Sequence, residues 1–171
     1  LTTELFKEKI NHINSTLFEV REARVHPQKD DKILTDWNGM MISALARSAK
    51  IFNDDTYGNY AIKAMDFILN NLKNKDGKLL KRYRNGNAGL DGVLDDYAYV
   101  IWGLIELYQY NFNPEYLESA ILLSDYQIKH FWDSKDGGFF FNSDISEKLL
   151  IRSKEIYDGA IPSGNSVSAN N

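Results

Sequence analysis

The feature that most constrains the fold of this chain is an internal repeat of paired helical segments. At an offset of 56 residues, positions of one segment fall on those of a later one: Tyr60 on Tyr116, Ala64 on Ala120 and Leu72 on Ile128. Each unit contains an inner helix, a polar break, an outer helix, an Asp-Gly turn (residues 76–77 and 136–137) and a short strand or hairpin. Repeats of 50–60 residues with one helix pair predict an array of helical hairpins, since each hairpin buries its apolar faces against its neighbours. The Asp-Gly turns followed by strands favour a closed ring over an open solenoid.

Apolar residues spaced three and four apart predict five helices and the start of a sixth. The helices are predicted at residues 3–24, 37–52, 57–72, 97–110 and 114–132, and the sixth is predicted to begin near residues 163–165. Asp36 and Asn113 are predicted to cap the second and fifth helices. Residues 79–84 and 139–141 are predicted as short strands, the first followed by a tight turn at residues 85–87.

Composition and charge exclude several classes of protein. The chain has 20 Lys and Arg against 24 Asp and Glu, a net charge of −4, which argues against a nucleic-acid partner. It contains no cysteine, which excludes disulfides, thiolate metal sites and cysteine nucleophiles within it. Its three histidines, His12, His26 and His130, share no ligand spacing, so we expect neither a metal nor another cofactor. With no targeting segment at its start and no apolar run near about 18 residues, we expect no membrane span and a cytoplasmic location.

An acidic pair opens the most apolar of the predicted helices. Asp95 and Asp96 directly precede Tyr97 at the start of this helix. A carboxylate at the end of an inner helix is suited to general acid or base chemistry in a pocket, and sugar bonds are commonly cleaved by such groups. The alternative is that one of the two caps the helix and complements its dipole. Because adjacent helical residues point about 100° apart, we expect one carboxylate to cap and the other to face a cleft.

Further polar and aromatic residues stand near predicted helix starts and in loops. We predict that they line the same pocket as the acidic pair: Trp37, Asn38, Arg82, Tyr83, Tyr97, Asp158, Ser163 and Asn165. The alternatives are that Trp37 packs in the core, that the basic cluster around Arg82 is a solvated face, and that residues 158–166 are a tight loop between hairpins. We also expect Ser163 to lie at the same end of the helices as Asp95, because both precede inner helices.

Four segments carry a resemblance to one family. They are residues 32–41 (KILTDWNGMM), 92–98 (GVLDDYA), 132–140 (with WD and GGFF) and 157–166 (YDGAIPSGNS). In order and spacing, over about residues 30–171, they resemble the uncharacterised thioredoxin-domain-containing family that includes a spermatogenesis-associated member in animals. The family motif has Ser where Asp36 stands here.

The resemblance implies the middle portion of an (α/α)6 toroid similar to six-hairpin glycosidases and sugar 2-epimerases, which in the family follows a thioredoxin-like domain. We therefore predict an all-α fold of helical hairpin repeats, a partial toroid with short β-hairpins in its connecting loops. The whole chain, residues 1–171, is expected to be a single fragment of that toroid. Its hairpins are predicted at about residues 37–92 and 93–150, and residues 151–171 are predicted to form a loop and the start of the next hairpin.

The leading functional hypothesis is a glycosidase-like or epimerase-like enzyme that acts on a sugar or glycoside by acid–base chemistry, with Asp95 or Asp96 as the catalytic group. The expected ligand is a small sugar-like molecule. One alternative is a non-catalytic binding platform attached to a thioredoxin-like domain. Another is a structural helical array for protein partners. A cleft lined by carboxylates and aromatic residues favours the enzyme, whereas an apolar groove favours the alternatives.

We predict that the 171-residue chain self-associates. The helix over residues 97–110 is apolar on almost every side, so it needs neighbours on both flanks, and a ring of six hairpins needs about twice this chain length. Exposed apolar faces favour a contact of about 800 Å² per partner, the usual size of a stable interface. Light scattering across a dilution series measures this association. A strictly monomeric, cooperatively melting chain at high concentration would contradict the ring-fragment interpretation.

Overall fold

The computed structural model describes residues 2–74 and 77–171 and divides the chain into two units, Leu1–Asp31 and Lys32–Asn171. The first unit contains helix α1 (Thr3–Glu22), which ends slightly before its predicted end. Thr2 caps this helix by accepting a hydrogen bond from the N–H of Leu5. No described residue of α1 is buried.

The second unit contains five helices and three strands among the described residues. The helices are α2 (Thr35–Phe52), α3 (Asp55–Asn71), α4 (Leu94–Asn111), α5 (Pro114–Phe131) and α6 (Gly164–Asn170). The strands are β1 (Ile33–Leu34), β2 (Leu80–Arg84) and β3 (Asn87–Asp91), which form one antiparallel sheet in the order β1-β2-β3. Helix α2 packs against α3, and α4 packs against α5, so the helices form the two predicted pairs.

Local sequence signals explain several boundaries of these elements. Asn113 accepts the N–H of Glu115 and Pro114 occupies the first turn of α5, as predicted. Between β2 and β3 the backbone takes positive φ at Asn85 (50°) and Gly86 (78°). Two successive positive φ angles match the twist of a two-residue hairpin, so the predicted tight turn is confirmed.

Two details of the predicted secondary structure are wrong. Asp36 does not cap α2, because the helix starts at Thr35 directly after strand β1 and its N-cap residue is Leu34. The hydroxyl of Thr35 donates a hydrogen bond to the carbonyl of Leu80, which connects the N-terminus of α2 to strand β2. Residues 139–141 do not form a strand: Phe139 makes an isolated bridge with Trp132 after the chain reverses through two glycines of positive φ. The predicted Asp-Gly turn at 76–77 includes Asp76, which lies outside the described residues.

Helix α4 lies at the centre of the second unit, as the apolar pattern of its sequence predicts. It contacts α2, α3, α5 and α6. The main core around it consists of buried apolar side chains of α2, α3, α4, α5 and the segment before β2, among them Ile42, Met65, Ile68, Leu72, Leu79, Leu104, Leu107 and Phe131. The inner position of α4 fixes its N-terminus, and with it the acidic pair, against α2 and α6.

Gly39 allows α2 to approach α4 closely, and this approach is testable. A Cβ at position 39 would lie 2.7 Å from the carbonyl carbon of Tyr99, which is backbone and cannot rotate away. We expect Gly39→Ala to lower the free energy of unfolding by about 1–3 kcal/mol despite the better helix propensity of alanine. Urea unfolding measures this. Gly159→Ala is the matched control, since its Cβ would meet Tyr157 at an ordinary 3.5 Å; an equal effect of both substitutions would contradict the explanation.

Candidate functional site

Three carboxylates and one lysine meet where α2, α4 and β2 adjoin, and we call this group the carboxylate cluster. Asp36 comes from the first turn of α2, and Asp95 and Asp96 come from the first turn of α4. Lys81 comes from β2. The packing of α2 on α4 and the pairing of β1 with β2 bring Asp36 and Lys81 to the acidic pair, although three separate segments of the sequence supply these residues.

Asp96 is fully buried and accepts hydrogen bonds from three elements. Its Oδ2 accepts the N–H of Val93 at 2.8 Å, which caps α4. Its Oδ1 accepts the N–H of Asp36 at 3.0 Å and the ammonium of Lys81 at 3.2 Å. Burial raises the pKa of Asp96 to about 7, although Lys81 acts in the opposite direction. The carboxyl therefore titrates near neutral pH while it holds the start of α4.

Lys81 bridges two of the carboxylates. Its Nζ lies 2.6 Å from Asp36 Oδ2 and 3.2 Å from Asp96 Oδ1, and only 25 % of its side chain is exposed. Burial alone would lower the pKa of Lys81, but Asp96 and Asp36 outweigh it and raise the pKa above its ordinary value. The lysine is therefore charged at neutral pH and favours the ionised form of Asp96.

Asp95 is half-buried and points toward the start of α6. Its Oδ1 is buried and accepts no hydrogen bond of ordinary geometry from any residue that the structure describes. A Cβ at Gly164 would collide with this oxygen, so the backbone of α6 lies against it. Burial raises the pKa of Asp95, while Lys81 and the backbone of Gly164 act in the opposite direction. Asp95 thus has unused hydrogen-bonding capacity and an increased proton affinity.

The predicted loop lies at the same end of the helices as Asp95, as expected, because Gly164 touches Asp95 and follows Ser163 directly. Asp158 accepts the N–H of Ser163 at 2.8 Å and the hydroxyl of Ser166 at 3.0 Å, and these bonds hold its pKa below the ordinary value. Ser163 caps α6. Asn165 exchanges two hydrogen bonds with the backbone of Phe139. These side chains fix the shape of the loop.

The other predicted site residues lie in different environments. Trp37 is 62 % exposed in the first turn of α2, so it does not pack in the core. Asn38 donates to the carbonyl of Leu34 and is engaged at the helix start. Arg82 lies on β2 opposite Gly89. Tyr83 packs edge-on against Phe67, with ring centroids 5.1 Å apart.

Tyr97 requires a correction, because a residue predicted to line the pocket lies in the core. Its ring is 1 % exposed and stacks on Tyr126 at 5.2 Å, and its hydroxyl accepts the N–H of Leu79. Burial raises the pKa of this hydroxyl, which keeps it protonated. The expectation for the acidic pair is confirmed for the capping residue, Asp96, but Asp95 adjoins α6 with a buried oxygen and not an open cleft.

Sequence reasoning missed Lys81, the cation of the cluster. It belongs to a run of basic residues that resembles a solvated face, and Arg82 was the residue predicted from that run. Side chains alternate along a strand, so Lys81 shares its face with Tyr83 and not with Arg82. Because Tyr83 packs against the core, alternation alone points Lys81 toward the helices.

The described residues contain no group of three His, Asp or Glu side chains placed to hold a metal ion. In the same part of the chain, no helix combines the length and apolar character needed to cross a membrane.

The pKa of Asp96 predicts a distinctive pH dependence of stability. The folded protein holds this proton up to about pH 7, whereas the unfolded chain releases it near 3.8. As the pH rises from about 4 to 7, the free energy of unfolding of the wild type should therefore decrease relative to that of Asp96→Asn, which cannot titrate at this position. Urea unfolding of both proteins from pH 4 to pH 8 measures the difference. Asp125→Asn, an exposed change on α5, is the control and should follow wild type. Parallel curves for wild type and Asp96→Asn would contradict the assignment.

Comparison with known proteins identifies relatives along the whole chain, although no protein-family model matches it. Human spermatogenesis-associated protein 20 is 35 % identical over 181 residues, which cover 100 % of this chain and 23 % of the human protein. The rat protein of the same name is 34 % identical over the same shares. The chain thus spans about a quarter of the length of the curated relatives it matches.

Solved structures with the same fold are carbohydrate-related proteins of low sequence identity. A GH76 α-mannanase of Bacteroides thetaiotaomicron has a TM-score of 0.62 at 17 % identity, covering 69 % of this chain and 34 % of that one. D-mannose isomerase has a TM-score of 0.65 at 15 % identity, covering 81 % and 37 %. Cellobiose 2-epimerase of Spirochaeta thermophila has a TM-score of 0.63 at 14 % identity, covering 80 % and 35 %. The predicted fold is confirmed: the chain is an array of helical hairpins, part of an (α/α)6 toroid, with a short β-hairpin between α3 and α4.

Proposed function

We propose that the carboxylate cluster is the acid–base centre of an enzyme that acts on a sugar or glycoside, with Asp95 as the proton-transferring group. The observation that carries this proposal is the combination found at Asp95: a buried oxygen that accepts no hydrogen bond of ordinary geometry from the described residues, incomplete burial of the residue, and a raised pKa. A carboxyl group used only for structure normally has its oxygens paired.

Asp96 and Lys81 have a supporting role in this proposal. Asp96 is inaccessible and fully engaged, so it positions the first turn of α4 and does not contact a ligand. Lys81 balances the negative charge of Asp36 and Asp96. Asp95 keeps a proton at higher pH than a free aspartate, which suits a general acid that protonates a leaving oxygen or a base that later removes a proton beside a carbonyl.

The kind of substrate is inferred from the structural neighbours, whose names specify an α-mannanase, a mannose isomerase and a cellobiose epimerase. On the basis of the fold and the carboxylate cluster, we propose a sugar or glycoside as the substrate of this protein as well.

We further propose that the chain belongs with the spermatogenesis-associated relatives. In this proposal it is the middle portion of a toroid, with hairpins at residues 37–92 and 93–150, and it is joined to a thioredoxin-like domain in a longer cytoplasmic protein.

A binding platform without catalysis is the second candidate. It is favoured by the loop at residues 158–166, where Asp158, Ser163 and Asn165 use their polar atoms on one another and on the backbone. A platform of this kind would bind a sugar without changing it, so a turnover measurement separates the two candidates.

The test is turnover by the full-length protein with mannose, cellobiose and aryl mannosides, followed by NMR detection of epimerised, isomerised or hydrolysed products. We expect Asp95→Asn to lower turnover at least about a hundredfold, the usual contribution of a positioned acid or base, with a melting temperature close to wild type. Asp125→Asn is the matched control and should keep wild-type turnover. Binding of a sugar without turnover by wild type would favour the platform, and full turnover by Asp95→Asn would exclude Asp95 as the catalytic group.

A further inference from the structure

A groove runs between α2, α4 and α6. We call it the inner-helix groove; it has a volume of about 390 Å³ and is lined by Arg47, Trp102, Glu106, Ser166 and Asn170, among others. Pro162 also lines it, and the Pro162 carbonyl accepts a hydrogen bond from the hydroxyl of Tyr99. The groove therefore continues from the loop that covers Asp95 along the exposed side of α4.

The groove lining carries one cation, Arg47, and one carboxylate, Glu106, while Asp158 accepts a hydrogen bond from the lining residue Ser166. Glu106 is the acidic residue of its lining, and its carboxylate is shared by Arg47 Nε at 3.5 Å and Lys50 Nζ at 3.2 Å. The Glu106 side chain is only 10 % exposed, whereas that of Arg47 is 57 % exposed. One carboxylate thus faces two cations, and the exposed guanidinium of Arg47 retains the capacity to bind an anion. A planar carboxylate is the group that a guanidinium binds with two parallel hydrogen bonds.

Trp102 supplies a flat apolar surface in the same groove. It is half-buried and packs against the cluster formed by Ala98, Tyr99 and Val167. Aromatic side chains held in this way commonly form the apolar wall of ligand sites, with a few polar groups that fix the orientation. The combination of an indole and a guanidinium suits a ring that has apolar C–H faces and one carboxylate.

The position of Trp102 relates the groove to the proposed reaction. Trp102 follows Asp95 by seven residues on α4, which places it on nearly the same face and about 10 Å along the helix axis. Glu106 lies one further turn along. A ligand that contacts both the groove and the exposed part of Asp95 is therefore longer than a single sugar ring.

We infer that the inner-helix groove binds a carboxylate-bearing sugar ring of a substrate whose neighbouring ring reacts beside Asp95. This inference rests on the proposed function for the reacting ring. The preference of the groove for a carboxylate-bearing ring is a separate property that binding alone can test. The ring is oriented by its carboxylate on Arg47 and by its apolar face on Trp102. The substrate class is an acidic saccharide of two or more rings.

The test is calorimetric titration of the full-length protein with two matched probes, cellobiose and cellobiouronic acid, which differ by one carboxylate. We expect cellobiouronic acid to bind about tenfold more tightly than cellobiose, which is the usual contribution of one charge-assisted hydrogen bond. Arg47→Gln should remove this preference without weakening cellobiose, and Arg47→Lys should restore part of it. Trp102→Ala should weaken both probes. Arg21→Gln, an exposed arginine of α1, is the control and should behave as wild type.

The outcomes separate this inference from the proposed function. Equal affinity for the two probes, absence of binding of either, or an unchanged preference in Arg47→Gln overturns the groove assignment. Asp95→Asn should retain the preference, since it alters the reacting end only. Preferential binding of the acid without turnover of any saccharide supports the groove and overturns the proposed reaction.

Discussion

The buried carboxylate of Asp96 is the interaction on which the arrangement of the second unit depends. It accepts hydrogen bonds from the backbone of α2, from Lys81 on β2 and from the residue that precedes α4. A buried charge without such partners is strongly destabilising, and loss of one partner of a buried ion pair leaves that penalty uncompensated. The three elements are therefore held in one arrangement, since displacement of any of them removes a partner from Asp96.

This constraint divides the acidic pair into two roles. Successive residues of a helix point about 100° apart, so once Asp96 faces α2 and β2, Asp95 is directed elsewhere, toward α6. One carboxylate stabilises the first turn, and its neighbour is left with an oxygen that accepts no hydrogen bond of ordinary geometry from the described residues. The order of the two residues in the sequence thus assigns the structural role to the second and makes the first available for chemistry.

The helices and the hairpin turn followed from local signals, because apolar spacing, the cap at Asn113 and the Asn85-Gly86 turn act within a few residues. Predictions failed where tertiary packing determines the environment of a residue. Tyr97 lies in the core since its hydroxyl satisfies the N–H of Leu79, a partner in another element. Residues 139–141 have a high β-propensity, but among the described residues they make only an isolated bridge, between Phe139 and Trp132. The acidic pair was identified from its place at a helix start, whereas Lys81 was missed because its importance arises only from the docking of β2 against both helices.

The cation of the cluster belongs to a hairpin, and the carboxylates belong to helices. Burial is the largest influence on the pKa of Asp96 and raises it, whereas Lys81 lowers it, so displacement of the β2–β3 hairpin that exposes this carboxyl to water decreases its proton affinity. By thermodynamic linkage, opening of the hairpin releases a proton, and acidification favours the closed state. Motion of this hairpin is therefore coupled to proton release, in the same direction as the pH dependence of unfolding.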